Sequence, residues 1–160
     1  MSPPKVGNKA PDFTLPATGD QKVKLSALRG QPVVLYFYPR DNTPGCTQEG
    51  QAFRDRHTAF AAHGAIILGI SRDSLASHAR FKAGQALPFD LLADTDERAC
   101  RSYDVIREKN LYGRKVVGIE RSTFLIDAAG TLVREWRKVR VEGHAEEVLA
   151  AVADLRGPAP

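Results

Sequence analysis

Cysteine is scarce in this 160-residue chain: Cys46 and Cys100 are the only two, beside a single methionine and a single tryptophan. Two thiols are too few for the disulfide framework of a small secreted domain. A chain of this length needs none, because one core buries about two thirds of the unfolded surface. The N-terminus, Met1-Ser2-Pro3-Pro4-Lys5, opens on prolines rather than on a basic segment followed by an apolar stretch, so a reduced, cytoplasmic setting is expected. No apolar run approaches the ~18 residues that span a bilayer, and no membrane partner is expected. Repeats, low-complexity tracts and linkers are also missing, which predicts one domain over residues 1–160. The four histidines, His57, His63, His78 and His144, show no metal-ligand spacing. Packing or surface roles are expected for them, and neither metal nor cofactor.

Charge is present but mild. Lysine and arginine number 23 against 19 acidic residues, a formal net charge of +4. One concentration stands out: Arg134, Arg137, Lys138 and Arg140 surround Trp136. Basic residues interleaved with an aromatic suit a nucleic-acid-binding module. No binding motif accompanies them, and a charged strand edge that resists aggregation is the simpler reading, so no nucleic-acid partner is expected.

The apolar pattern sets the scaffold. Gly7 to Lys24 alternates short apolar and polar pieces around Ala17-Thr18-Gly19-Asp20, as an N-terminal β-hairpin does. Val33 to Tyr38 and Ala65 to Ile70 are nearly continuous apolar runs, suited to strands covered on both faces. The stretch between them, Thr47 to about His63, lacks proline and reads as helical, giving a βαβ unit with a right-handed crossover. Ser74 reads as the N-cap of a helix to about Gly84, with Ala76, Ala79 and Phe81 toward the sheet. Phe89 to Leu92 is a short strand, and Asp94-Thr95-Asp96 caps a helix through about Tyr103 that carries Cys100. Ser122 to Asp127 and Thr131 to Trp136 form a hairpin around Gly130. A last helix runs from about His144 to Leu155, and Gly157 to Pro160 is a frayed tail. This order predicts an α/β, thioredoxin-like fold, a central mixed β-sheet flanked by helices.

Cys46 is where chemistry is expected. It ends the turn Pro39-Arg40-Asp41-Asn42-Thr43-Pro44-Gly45 after the first apolar run and so falls in the first turn of a helix. Free N–H groups and the positive end of the helix dipole favour a thiolate there. Thr43, Pro44 and Gly45 are turn formers, which places Cys46 at a surface rim. No second cysteine lies three residues away, since Thr43 and Glu49 hold those positions, so a dithiol exchange motif is excluded. Acyl transfer from Cys46 would need a positioned base, and no histidine lies in a recognisable partner motif.

The run Pro39-x-x-x-Thr43-x-x-Cys46 resembles the active-site signature of the peroxiredoxins, and Tyr38 to Cys46 as a whole is similar to their bacterioferritin comigratory protein, or PrxQ, branch. Gly118 to Asp127 and Lys138 to Val148 are similar to the same branch. The resemblance implies a thiol-dependent peroxidase acting on hydrogen peroxide and organic hydroperoxides. It makes Cys46 the peroxidatic thiolate that becomes a sulfenic acid. Thr43 places its hydroxyl beside sulfur and peroxide, Pro39 shapes the pocket and shields the thiolate, and Arg121 supplies a permanent cation. Glu49, one turn beyond Cys46, is a weaker candidate to orient Arg121. The branch also implies a monomer.

Recycling departs from the branch. Where many relatives carry a resolving cysteine five residues after the peroxidatic one, this chain has Gln51; where others carry it in the following helix, the approximate counterpart is Lys82. An external thiol, such as thioredoxin, glutaredoxin or a small thiol, is therefore expected to reduce Cys46. A disulfide between Cys46 and Cys100 is the alternative, although Cys100 is expected to be an inert packed thiol.

Overall fold

The apolar run after Pro32 becomes β3 (Val33–Phe37), an inner strand of a seven-stranded mixed sheet, and every one of its residues is buried. The computed structural model describes residues 4–155; the anticipated tail, Gly157 to Pro160, lies outside them. β1 (Thr14–Ala17) and β2 (Gln21–Lys24) form the expected N-terminal hairpin. β4 (Ile66–Ser71) runs parallel to β3, and β5 (Asp90–Ala93) parallel to β4. β8 (Ser122–Ile126) pairs antiparallel on the other side of β3 and with β9 (Leu132–Trp136). The order across the sheet is β2-β1-β5-β4-β3-β8-β9. The expected thioredoxin-like α/β architecture is thus present.

The alternation of side chains along β3 divides the interior in two. Val33, Leu35 and Phe37 point to one face, where they pack with Cys100, Tyr103 and Phe124. Val34 and Tyr36 point to the other, where they pack with Cys46, Phe53 and Phe60.

The helices follow the sequence with adjustments. α1 (Pro44–Asp55) starts at the proline, which costs nothing there because the first N–H has no helical partner. The helix expected to run on to His63 is interrupted at Arg56, and α2 (His57–Ala62) continues from it. α3 (Leu75–Gln85) is capped by Ser74, whose hydroxyl accepts from Ser77 N at 3.2 Å. Its inward face differs from expectation: Ala76 and Ala79 are exposed, and His78 and Phe81 are buried. A histidine holds a core position when its ring nitrogens are bonded, and those of His78 are.

α4 (Arg98–Ser102) is held at its start by the Asp94 carboxylate, which accepts from Ala99 N and Cys100 N at 3.2 and 2.7 Å. α5 (His144–Asp154) packs on the Phe53 face through Ala145, Val148 and Val152. One element was not anticipated: β6 (Ile106–Leu111) and β7 (Arg114–Ile119) form a separate hairpin. Its turn is Tyr112-Gly113, both at positive φ, the geometry that two-residue hairpin turns require.

The basic segment around Trp136 covers the end of the edge strand β9 and the residues after it, and Arg134 and Arg137 are engaged within the chain. Arg134 sits 4.6 Å over the Trp136 ring and shares Glu147 with the indole N–H. Arg137 donates to the carbonyls of Tyr103 and Asp104. Those contacts fasten the edge strand to neighbouring elements, which the charged-edge reading accommodates better than a nucleic-acid surface.

Candidate active site

α1 is seated by Cys46, Glu49, Gly50 and Phe53, a helical stripe in which only two residues are conventional core formers. The stripe explains where the thiol points. Cys46 is 2% exposed and belongs to the core cluster beneath β3, not to a surface rim. The turn residues before it are at the surface, but the third residue of the helix faces back onto the sheet, under the side chain of Arg121.

Arg121 reaches this point from the junction between β7 and β8. One guanidinium nitrogen, Nη2, lies 3.4 Å from Cys46 Sγ; the other, Nη1, donates to Glu49 Oε1 at 2.6 Å. The fork geometry of arginine allows both contacts at once, and lysine has no equivalent. Gly45 makes room for it: a Cβ there would stand 3.0 Å from Arg121 Nη2. Burial opposes the guanidinium charge, but Glu49 and Cys46 outweigh it and hold the Arg121 pKa above its ordinary value. Burial pushes the Glu49 carboxyl up to about 7, against the opposing charge and hydrogen bond of Arg121. Glu49 Oε2 and the hydroxyl of Tyr36 are both buried without a hydrogen-bond partner among the described residues. Sequence reasoning had Glu49 only as a weak candidate, and the structure makes it the direct partner of Arg121.

Thr43 precedes α1 and donates its hydroxyl proton to the carbonyl of Arg40 at 2.8 Å. With its donor so engaged, the oxygen presents lone pairs and acts as an acceptor. Pro39 is exposed, just past the end of β3 at the start of the loop that leads to Cys46.

A polar cluster next to this loop went unnoticed in the sequence. Asp41, Asp73 and His78 bring their donor atoms within 4.8 Å of one another, a constellation that linear spacing did not reveal. Those atoms are already bonded to protein groups: Asp41 takes Tyr38 Oη, Ser77 Oγ and His78 Nδ1, and Asp73 takes Asp41 N and Ser71 Oγ. The signal available was His78 itself, three residues before Phe81 on the inward face of α3.

Cys100 lies on the opposite face of the sheet from Cys46, fully buried, in the other core cluster. Burial, then the nearby Asp94, pushes its thiol well above the ordinary range, so it stays protonated and unreactive. A Cys46–Cys100 disulfide needs Cα atoms within about 7 Å and would require taking the sheet apart.

Residues 6–135 match the AhpC/TSA family. The chain belongs to the peroxiredoxins. It is 47% identical over 151 residues to Peroxiredoxin Bcp of Bacillus subtilis, covering 94% of this chain and 96% of that one. Identity to Peroxiredoxin Bcp of Xanthomonas campestris is 52% over 141 residues, 88% of each. Among solved structures, the peroxiredoxin fold aligns with bacterioferritin comigratory protein of Xanthomonas campestris, studied for its alkyl peroxide reduction activity. The TM-score is 0.88 at 48% identity, covering 93% of this chain and 98% of that one. A cysteine-to-serine mutant of Xylella fastidiosa PrxQ aligns with a TM-score of 0.90 at 43% identity, covering 96% and 98%. As a peroxiredoxin, the chain is a thiol-dependent peroxidase: its substrate is a peroxide and its reductant a thiol.

Proposed function

We propose that Cys46 is the peroxidatic residue and that Arg121, Thr43 and Pro39 form its pocket in a one-cysteine peroxidase acting on hydrogen peroxide and organic hydroperoxides. The observation that carries this reading is the Arg121 guanidinium 3.4 Å from Cys46 Sγ, held by a buried carboxylate. The Cys46 thiolate attacks one oxygen of the peroxide; the S–O bond forms as the O–O bond breaks, and the departing oxygen takes a proton as water or alcohol. Negative charge moves from sulfur to that oxygen, and Arg121 stands where it stabilises both ends. Thr43 accepts the peroxide hydrogen, fixing the attacked oxygen against sulfur. Pro39 locks the chain direction into the loop.

The sulfenic acid is then reduced by two equivalents of an external thiol, which leave as a disulfide with one water. Separation of the two cysteines by the sheet supports this route, as do Gln51 and Lys82 at the positions where relatives carry a resolving thiol. Gln51 bonds Gln85 and Lys82 pairs with Asp90, so both positions serve as structural ties. Thioredoxin, glutaredoxin or a small thiol would supply the electrons. We further propose one domain over residues 1–160 acting as a monomer in the cytoplasm; no helix among the described residues is long and apolar enough to cross a membrane.

Two measurements test this. Peroxide consumption with added thiol should vanish in Cys46→Ser, and equal rates in wild type and variant would remove Cys46 from the reaction. After one equivalent of peroxide without reductant, intact-mass analysis should show a single added oxygen on Cys46. Loss of two hydrogens with both cysteines linked in most molecules would overturn the one-cysteine route.

A further inference from the structure

The loop Tyr38 to Thr43 joins β3 to the helix of the reactive thiol and has no regular structure of its own. It contains Asn42 at φ +62°, a left-handed turn conformation that asparagine adopts more readily than other non-glycine residues. The residue before it, Asp41, is firmly bonded. Its backbone N–H donates to Asp73 Oδ2 at 2.9 Å, and its carboxylate accepts from Tyr38 Oη at 2.6 Å and Ser77 Oγ at 2.7 Å. His78 Nδ1 completes the set, 2.8 Å from Asp41 Oδ2, with His78 fully buried and Asp41 nearly so.

The protonation of this pair follows from its partners. His78 Nε2 lies 2.9 Å from the carbonyl oxygen of Leu92, which only accepts, so Nε2 carries a proton. Nδ1 faces the Asp41 carboxyl, and one further proton must lie between them for that contact to be attractive. Burial alone would push the Asp41 carboxyl up, but the bonds from His78, Tyr38 and Ser77 and the charge on His78 hold it below the ordinary carboxylate range. Asp41 and His78 are thus joined through one proton across a 2.8 Å contact inside the protein.

We propose that the hydrogen-bonded Asp41–His78 pair is a positioning device for peroxide reduction, anchoring the Thr43-bearing loop to α3 so that Thr43 and Cys46 meet the peroxide in register. Neither residue touches the thiol. Thr43 lies two residues beyond Asp41 and Cys46 five beyond. The proposal rests on the peroxidase reading of Cys46. A buried polar pair is ill suited to adding raw stability, because desolvation of the two groups offsets much of their attraction; fixing one geometry is the use that such pairs serve best where they serve one.

The test compares Asp41→Asn, His78→Gln and the double variant in two single-turnover reactions of Cys46. Oxidation by hydrogen peroxide needs Thr43 and Arg121 in register, whereas alkylation by iodoacetamide needs only an accessible thiolate. Peroxide oxidation should slow by ~10²-fold, the scale on which a misplacement near 1 Å acts, while alkylation changes by less than about threefold. The double variant should be no slower than the worse single one, since the two residues act as a unit. An unchanged peroxide rate in either single variant, or peroxide and alkylation rates shifting together, overturns the proposal. Should these variants not fold, Ser77→Ala, which removes another bond from α3 to Asp41, replaces them: slowed peroxide oxidation with unchanged alkylation supports the anchor, and an unchanged peroxide rate overturns it. Failure of the underlying peroxidase reading shows separately, as equal peroxide consumption by wild type and Cys46→Ser.

Discussion

Arg121→Met should slow the oxidation of Cys46 by peroxide about 10²–10³-fold, the loss that follows removal of one preorganised charge from a water-poor site. Methionine preserves the apolar stem, so the change isolates the guanidinium. The charge acts twice: it faces the sulfur at 3.4 Å, and it remains beside the departing oxygen as negative charge passes to it. Its removal also strips Glu49 of its partner. With Arg121 gone, nothing offsets the burial that already pushes Glu49 up to about 7, and the carboxyl becomes neutral at that pH. Protonation relieves the buried charge, so the cost in stability should be smaller than the ~3–5 kcal/mol of an orphaned buried ion. Arg121→Lys distinguishes charge from geometry. A single ammonium cannot bond Glu49 and face Cys46 together, so lysine should recover only part of the lost rate. Stopped-flow measurement of the second-order rate constant checks both variants, and a wild-type rate in Arg121→Met would show that the 3.4 Å contact contributes nothing to the reaction.

How much of this site is legible in the sequence depends on what kind of signal each residue leaves. β3 and β4 were evident because strands buried on both faces read as continuous apolar runs. Cys46 at the helix start was evident because proline and glycine mark the turn. Arg121 was found through the family's motif, since local patterning says nothing about a residue 75 positions from its partner. The depth of the thiol was misjudged for a related reason: turn chemistry describes the backbone before the helix, whereas burial depends on which way the helix then faces. His78 and Asp41 were passed over because polar residues score as surface, and only their mutual hydrogen bonds make a buried position tolerable. The hairpin β6–β7 escaped because Arg107, Glu108, Lys115 and their neighbours dilute its apolar alternation, and among the described residues its strands pair only with each other.

The helix that presents Cys46 has little holding it down, which makes Phe53 the residue whose loss should be felt most in stability. Of the buried stripe on α1, Glu49 is a carboxylate and Gly50 has no side chain, so Phe53 supplies nearly all of the large apolar contact. Its ring stacks on Tyr36 at 4.8 Å and lies 5.8 Å from Phe60 and 6.1 Å from His144, linking β3, α2 and α5 through one side chain. Phe53→Ala should destabilise the chain by ~3–5 kcal/mol, counting lost transfer energy and the cavity left behind. For a chain of this size that corresponds to a fall of roughly 6–20 °C in the thermal midpoint. Phe53→Leu fills much of the same volume and should cost clearly less. The functional consequence is a second readout. If α1 is seated through Phe53, alkylation of Cys46 should accelerate in Phe53→Ala under native conditions, because local opening of the helix exposes a thiol that is otherwise covered. Calorimetry and thiol-labelling kinetics on the two variants check this together, and a Phe53→Ala midpoint within about 2 °C of wild type, roughly a 1 kcal/mol change at this size, would mean that the helix is held in place by other contacts.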